Sequence, residues 1–226
     1  MPSLLFLVIA GAVAVALLFY WGVTAQSRKH LAREQALARM GFSPCPDREA
    51  WLEETVTGIE NNREYRYEVR DPKCLSGTSP VYYYIKRRYH HGHEDSYVEE
   101  EILFALKRPS AAGLVLVVKP SSLAPGLATR MLGTIATGPW YAQPDDLQRL
   151  ELPMDLRNTN LVGALGPPGA SLYDLVDSPT LGVIQGLGDV GGMFVRFRDA
   201  WCVVASTSKQ IPFRADEVVS RIRPLL

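Results

Sequence analysis

The amino-terminal segment from Ser3 to Thr24 contains no charged side chain and consists mostly of Leu, Ile, Val, Ala and Phe. At about 1.5 Å of rise per residue, a helix of this length covers the ~30 Å hydrocarbon core of a bilayer. A secretory signal peptide would need a basic n-region and an apolar core of about 7–15 residues. Because no Lys or Arg precedes this run, residues 1–26 are predicted to be a retained transmembrane anchor, with a signal peptide cleaved near Ala25 as the alternative.

Positive charge lies on only one side of the predicted span. Lys and Arg near the end of a span stay on the cytoplasmic side, so we expect an external N-terminus and a cytoplasmic domain at the inner (plasma) membrane of a bacterial-type cell. Aromatic rings favour the headgroup layer, and basic side chains contact anionic lipid. The predicted interface residues are Phe19, Tyr20 and Trp21, and the predicted lipid-headgroup residues are Arg28, Lys29 and Arg33.

The predicted span also carries small residues on one helical face: Ala10, Gly11 and Ala14. Small residues let a second helix approach closely in lipid. The pattern predicts packing against integral membrane protein subunits, although Ala is also simply common in membrane spans.

A second helix-forming segment follows the span. Residues 27–41 are rich in Ala, Leu, Arg, Glu and Gln, and Gly41 supplies a stop, since glycine adopts the left-handed cap conformation without a Cβ clash. We predict a juxtamembrane helix, or stalk, over residues 27–41 and one soluble domain over residues 42–226. A domain of this length can form one core without disulfides.

Composition excludes some function classes. The chain has 24 basic and 24 acidic residues, so its net charge gives no indication of nucleic-acid binding. Cys45, Cys74 and Cys202 are odd in number and lack metal-site spacing. They fit free thiols in a reducing compartment, with a Cys45–Cys74 disulfide left open.

Strand patterns dominate the soluble domain. Alternation predicts strands over residues 63–70, 81–89 and 97–107, and an apolar run predicts another over 181–185. Residues 193–206 are predicted to form a hairpin across Asp199 and Ala200, and helices are predicted over residues 122–137 and 213–222. Regular alternation of strand and long helix is absent, so the predicted class is α+β, with a mainly antiparallel sheet and a few packed helices.

Two motifs invite a functional interpretation that their context does not support. Gly186 to Gly191 matches the dinucleotide pattern GxGxxG, but a β-prone segment follows it instead of a helix, so we interpret it as a glycine-rich loop. His90, His91 and His93 precede Glu94 and Asp95 at a predicted hairpin tip. These are weak candidate metal ligands, because zinc sites usually draw ligands from separate elements, and a solvated turn is the simpler interpretation.

A run of tyrosines and basic residues occupies the predicted strand 81–89, and acidic residues occupy its partner. Cross-strand ion pairs and aromatic pairs explain this pattern more simply than base stacking, with a protein-contact surface as the alternative. The residues are Tyr82, Tyr83, Tyr84, Tyr89, Lys86, Arg87 and Arg88, facing Glu99, Glu100 and Glu101.

The sequence offers no catalytic signature, no cofactor motif and no G-x-S-x-G elbow. We therefore expect a non-catalytic accessory or scaffolding subunit of an inner-membrane complex of respiratory, photosynthetic or secretion type. Its partners would be integral membrane protein subunits and membrane lipid, without nucleic acid. A membrane-tethered module that binds a ligand or lipid is the alternative, and a membrane-bound hydrolase is a more distant one.

Overall fold

The structure is a computed structural model, and it divides the chain into two compact units, Met1–Gly41 and Phe42–Leu226. In the first unit, residues 30–39 form helix α1, and Gly41 follows with a φ of 92°, as the sequence predicts for a glycine stop. The residues that the structure describes are 20–21, 28, 30–77, 79–91, 96–123, 143–207 and 213–226.

The predicted membrane span falls almost entirely on residues outside that set. Of the span, the structure describes only Tyr20 and Trp21, and both are helical. Within the described part of the chain, no helix combines the length and apolar character needed to cross a bilayer. The transmembrane helix therefore stays a prediction from the sequence.

The second unit is an α+β domain, which confirms the predicted class. Among the described residues of this unit, seven strands form one antiparallel sheet in the order β1-β2-β3-β4-β6-β5, with β7 paired along β4. In chain order the elements are β1 (Ser43–Pro44), α2 (Glu49–Glu60), β2 (Tyr65–Leu75), β3 (Val81–His90), β4 (Ser96–Val118), β5 (Gln148–Arg149), β6 (Leu161–Gly166), α3 (Leu172–Leu175), α4 (Ser178–Gly186), β7 (Met193–Ser206) and α5 (Ala215–Ile222).

The long strands β4 and β7 bend together. Their register pairs Glu101 with Ala205 and, further along, Val115 with Arg196. Positions 101 and 115 of a straight strand would lie about 46 Å apart. Nevertheless, Nη1 of Arg196 lies 3.1 Å from Oε1 of Glu101. The two ends of the β4–β7 ribbon therefore face each other, and the register shifts between positions 105 and 114 mark the bend.

Helix α2 covers one face of the sheet. Leu52, Val56 and Ile59 recur with helical spacing and are buried. They join one apolar cluster with residues from β2, β3, β4 and β7: Tyr67, Val69, Tyr82, Tyr84, Leu103 and Val203. The opposite face of the same strands is also buried, through Tyr83, Ile102, Phe104, Cys202 and Val204.

Two predicted elements are wrong. Residues 181–185 belong to helix α4, whose N-terminus has strong start signals: the Asp177 side chain accepts a hydrogen bond from the Thr180 N–H at 2.8 Å, and Pro179 lies in the first turn. Apolar runs alone do not separate a short buried helix from a strand. The predicted hairpin over 193–206 is instead one continuous strand, and Asp199 bends it with a φ of 53°.

A predicted strand pair and the predicted C-terminal helix are both present. The antiparallel pair β3–β4 confirms the predicted hairpin of strands, and α5 confirms the C-terminal helix. Most of the predicted helix 122–137 lies outside the described residues. The glycine motif spans the end of α4 and a following 3-10 turn, and a Cβ on Gly188 would lie 2.6 Å from Nδ2 of Asn160, so close packing accounts for that glycine.

Candidate functional site: a buried network of charges

Lys86 of β3 lies at the centre of a charge network in the domain interior. Its ammonium contacts three carboxylates: Glu60, Glu99 at 3.1 Å and Glu101 at 2.6 Å. An ammonium has three N–H donors, so the carboxylates around Lys86 equal its donors in number. Lys86 is completely buried, and burial of an unpaired charge would be very costly. The pairing is therefore a condition for the fold.

Glu60 reaches the network from the last residue of α2. It follows Ile59 and continues the helix face that packs on the sheet, so the local pattern places its side chain toward the interior. A carboxylate at a helix C-terminus faces the negative end of the helix dipole. The contact with Lys86 and a 3.3 Å contact from Arg196 Nη1 compensate for that position.

Arg196 of β7 closes the network into a ring. Its Nη1 lies 3.3 Å from Glu60 Oε1 and 3.1 Å from Glu101 Oε1, and Lys86 contacts the same two oxygens. Positive and negative groups therefore alternate around the ring. The four residues are 0–2% exposed. They come from α2, β3, β4 and β7, so the ring joins a helix to three strands.

Tyrosines and a third cation extend the ring. The Tyr84 hydroxyl donates a 2.8 Å hydrogen bond to the second oxygen of Glu101. Arg88 is buried between the rings of Tyr65 and Tyr97, at 5.0 and 4.8 Å from their centroids. Three cations thus accompany three carboxylates in this network, which is formally neutral.

The electrostatics keep both signs ionised. Burial opposes the charge of Lys86, but Glu101 and Glu60 outweigh it and raise the pKa of the ammonium. Burial likewise opposes ionisation of Glu60, but Arg196 and Lys86 lower the pKa of that carboxyl below its ordinary value. The pKa of Glu99 falls to about 2, because Lys86, Arg196 and Arg88 outweigh the effect of burial. General acid–base catalysis needs a pKa near the working pH. The pKa of Lys86 is shifted upward and those of Glu60 and Glu99 are shifted downward, so all three move away from neutral pH.

Tyr67 differs from Tyr84 although both are buried beside the ring. Among the described residues, the Tyr67 hydroxyl has no hydrogen-bond partner. Burial, followed by the negative charge of Glu60, raises the pKa of this phenol. The Lys86 ammonium lies 5.6 Å from the centre of the Tyr67 ring, so the tyrosine contributes its aromatic face to the network.

The predicted surface residues occupy other places. Tyr20 and Trp21 are 67% and 77% exposed, and Arg28 is also exposed. Arg33 is half-buried and donates a 2.6 Å hydrogen bond to Nδ1 of His30. The predicted contacts Ala10, Gly11, Ala14, Phe19 and Lys29 lie outside the described residues.

The histidines do not assemble a metal centre within the part of the chain that the structure describes. His90 packs its ring edge-on against Tyr65, with centroids 5.1 Å apart, and His91 is exposed. His93, Glu94 and Asp95 lie outside that part. No group of three or more potential metal ligands is found among the described side chains.

Open grooves also lie on the surface of the described part of the domain. One, of about 650 Å³, follows the outer side of α2 and is lined by Asp47, Glu49, Glu53 and Glu54. The other, of about 480 Å³, lies beside β5 and β6, where Arg157 pairs with Glu151 at 3.0 Å. Neither groove includes a member of the ring, so the ring is separated from both.

Sequence reasoning found one part of the network and missed the other. It paired Lys86 with the acids of β4, and the register indeed places Lys86 opposite Glu99. It gave no depth of burial for these side chains, and the structure shows that Lys86, Arg88 and Glu101 are buried. Glu60 and Arg196 were missed. Glu60 had a local signal, an acid that continues the apolar face of α2, but the bend that brings Arg196 close has none.

No protein-family model matches the chain, and no curated protein or solved structure is significantly similar to it.

Proposed function

We propose that this protein is a membrane-anchored, non-catalytic accessory or scaffolding subunit of an inner-membrane complex. One N-terminal helix would hold it in the bilayer, residues 27–41 would form a stalk, and the domain over residues 42–226 would brace the assembly from the cytoplasmic side. Its partners would be integral membrane protein subunits and membrane lipid.

One observation carries this proposal: the charge-free run from Ser3 to Thr24 ends in an exposed aromatic pair. Tyr20 and Trp21 are helical, and most of their surface is exposed. Exposed large aromatic side chains next to an apolar run are typical of a membrane interface. Arg28 follows them and is exposed as well, on the side where basic residues would meet lipid headgroups.

The domain supports a structural role through its charges. The ring of Lys86, Glu60, Arg196 and Glu101 uses its ionised groups on one another and joins a helix to three strands. Such a network favours one packing arrangement over others, because every alternative would leave a buried charge unpaired. A rigid domain of this kind is suited to holding partners in position.

Membrane fractionation of the tagged full-length protein tests the anchor. We expect it to stay in the membrane after an alkaline carbonate wash. The variant Val13→Arg places a charge in the middle of the run and should release a large part of the protein. Its matched control is Leu31→Arg, which adds the same charge at an exposed position of α1. Release of the wild type by carbonate would contradict the proposal.

Native mass spectrometry in mild detergent tests the scaffolding role. A discrete assembly of fixed stoichiometry would support it and would identify the partners. A monomer that gains thermal stability with an added lipid or small ligand would contradict it and favour the tethered binding module.

Labelling of Met154→Cys tests the orientation. Met154 is 79% exposed, so a cysteine there would react readily. We expect a membrane-impermeant maleimide to leave it unlabelled in intact cells and to label it after lysis. Labelling in intact cells would place the domain outside the cytoplasm.

A further inference from the structure

Two cysteines meet where the chain leaves the stalk and joins the sheet. In the register of β1 with β2, Ser43 lies opposite Cys74, and the Cys45 N–H donates a 2.9 Å hydrogen bond to the Pro72 carbonyl. Positions two apart along an extended chain point to the same side. Cys45 therefore lies on the same side as Ser43, whose hydroxyl is 3.9 Å from the Cys74 sulfur.

The two cysteines lie in the same part of the domain. Cys45 belongs to the apolar cluster under α2, and Cys74 packs against that cluster. All three cysteines of the chain are free. Cys45 is buried, Cys74 is half-buried, and Cys202 is buried on the other face of the sheet. Both members of the pair are therefore free thiols, and Cys74 is the less buried residue.

The geometry is close to that of a disulfide without matching it. Diagonal neighbours across an antiparallel pair are separated by about 7–8 Å, whereas native disulfides join Cα atoms about 4.4–6.8 Å apart. A small shift of the backbone closes the difference. β1 has only two residues and lies at the sheet edge, so it can make that shift. Strained disulfides are more easily reduced than unstrained ones.

We propose that Cys45 and Cys74 are a redox-active pair that forms a reversible disulfide with low-molecular-weight disulfides as the oxidant. The bond would tie the start of the domain to β2 and close the loop that contains α2. This site is independent of the proposed scaffolding role, since it depends only on contacts within the domain.

The chemistry is thiol–disulfide exchange in two steps. The Cys74 thiolate, the more accessible one, attacks the small disulfide and displaces one thiolate. The Cys45 thiolate then attacks the Cys74 sulfur of the mixed disulfide and displaces the second. The two thiol protons of the protein pass to the two displaced thiolates. Two electrons move from the protein dithiol to the small disulfide, and the products are one protein disulfide and two small thiols.

The second step is expected to depend strongly on pH. Burial and the neighbouring Cys74 raise the pKa of the Cys45 thiol to about 12. Below that value, the thiolate fraction of Cys45 rises about tenfold for each pH unit. Attack by Cys45 on the mixed disulfide should therefore be about a hundredfold faster at pH 9 than at pH 7.

Oxidised glutathione and the purified full-length protein in detergent provide the test. Intact-mass measurement should show that the wild type loses about 2 Da, the mass of two hydrogen atoms. Digestion without reductant should then yield one linked peptide containing Cys45 and Cys74. Cys45→Ala should instead stop at one glutathione bound to Cys74, and Cys74→Ser should not react.

Cys202→Ala is the matched control, and it should close the disulfide as the wild type does. Wild-type protein that keeps a bound glutathione, that does not react, or that links Cys202 would overturn the proposal. Unfolded protein should react at all three cysteines, which shows that the reagent is active. Each variant is compared only if its thermal unfolding resembles that of the wild type.

Discussion

The two faces of strands β3 and β4 are both buried, yet only one of them carries the charged ring. On that face Lys86 and Glu101 lie beside the apolar cluster under α2, whereas the other face carries Tyr83, Ile102 and Phe104. Glu101 and Ile102 are neighbours in sequence and point to opposite sides of the sheet. A single strand therefore contributes to a buried face with ion pairs and to a buried face without members of the ring.

The two faces should differ in how much stability a single substitution removes. Apolar burial contributes in proportion to area, so a substitution loses roughly what it removes, plus the cost of a cavity. In the ring, each charge is stabilised by its partners alone, so removing one residue leaves the others buried and uncompensated. A single substitution in the ring should therefore lower the free energy of unfolding by more than the small buried area of the ring would suggest.

The substitution Lys86→Met should have the largest effect. It keeps the length of the side chain but leaves Glu60, Glu99 and Glu101 without their shared ammonium. We expect a loss of about 3–5 kcal/mol in the free energy of unfolding, measured by urea denaturation of the full-length protein in detergent. Lys107→Met, at an exposed position of the same sheet, should change stability by less than about 0.5 kcal/mol. Equal losses in the two variants would contradict the comparison.

Acid should weaken the charged face in a defined pH window. A carboxyl whose pKa is lower in the folded than in the unfolded chain binds fewer protons when folded, so its stabilisation is present above the ordinary value and is lost as pH falls toward the folded one. For Glu99 that window runs from 4.5 to about 2, and the pKa of Glu60 shifts in the same direction. The free energy of unfolding, measured at a series of pH values, should fall as the pH is lowered through this window. In Glu99→Gln this fall should be less steep. If the unfolding free energy of that variant depends on pH as steeply as that of the wild type, Glu99 does not contribute to the loss of stability in acid.

Removal of one hydroxyl should have a smaller effect. Tyr84→Phe deletes the 2.8 Å hydrogen bond to Glu101 and keeps the ring packing. Hydrogen bonds to charged groups are worth about 1.5–3 kcal/mol, and we expect a loss in that range. Urea denaturation of Tyr84→Phe beside wild type measures it. A loss below about 0.5 kcal/mol would mean that Glu101 is satisfied without the phenol.

The sequence predicts the strands of this domain better than it predicts the ring. Alternation and turn residues are local signals, and they predicted β3 and the starts of β2 and β4 to within two residues. The ion pair between Lys86 and the acids of β4 was also predictable, because a hairpin fixes its own register. The contact of Arg196 with Glu60 depends on the bend between positions 105 and 114, and no local pattern encodes where the far end of a bent ribbon arrives. The depth of burial was missed for the same reason.

Tyr67→Phe should have the smallest effect of all and is the sharpest comparison with Tyr84→Phe. Both tyrosines are buried beside the same ring, but within the described chain only Tyr84 donates a hydrogen bond to it. A buried hydroxyl without a partner costs free energy, so its removal should leave stability unchanged or raise it by up to about 1 kcal/mol. The same urea titration measures both variants. A loss above about 1 kcal/mol for Tyr67→Phe would show that its hydroxyl is bound, for example by an internal water, and that the ring extends further than its side chains.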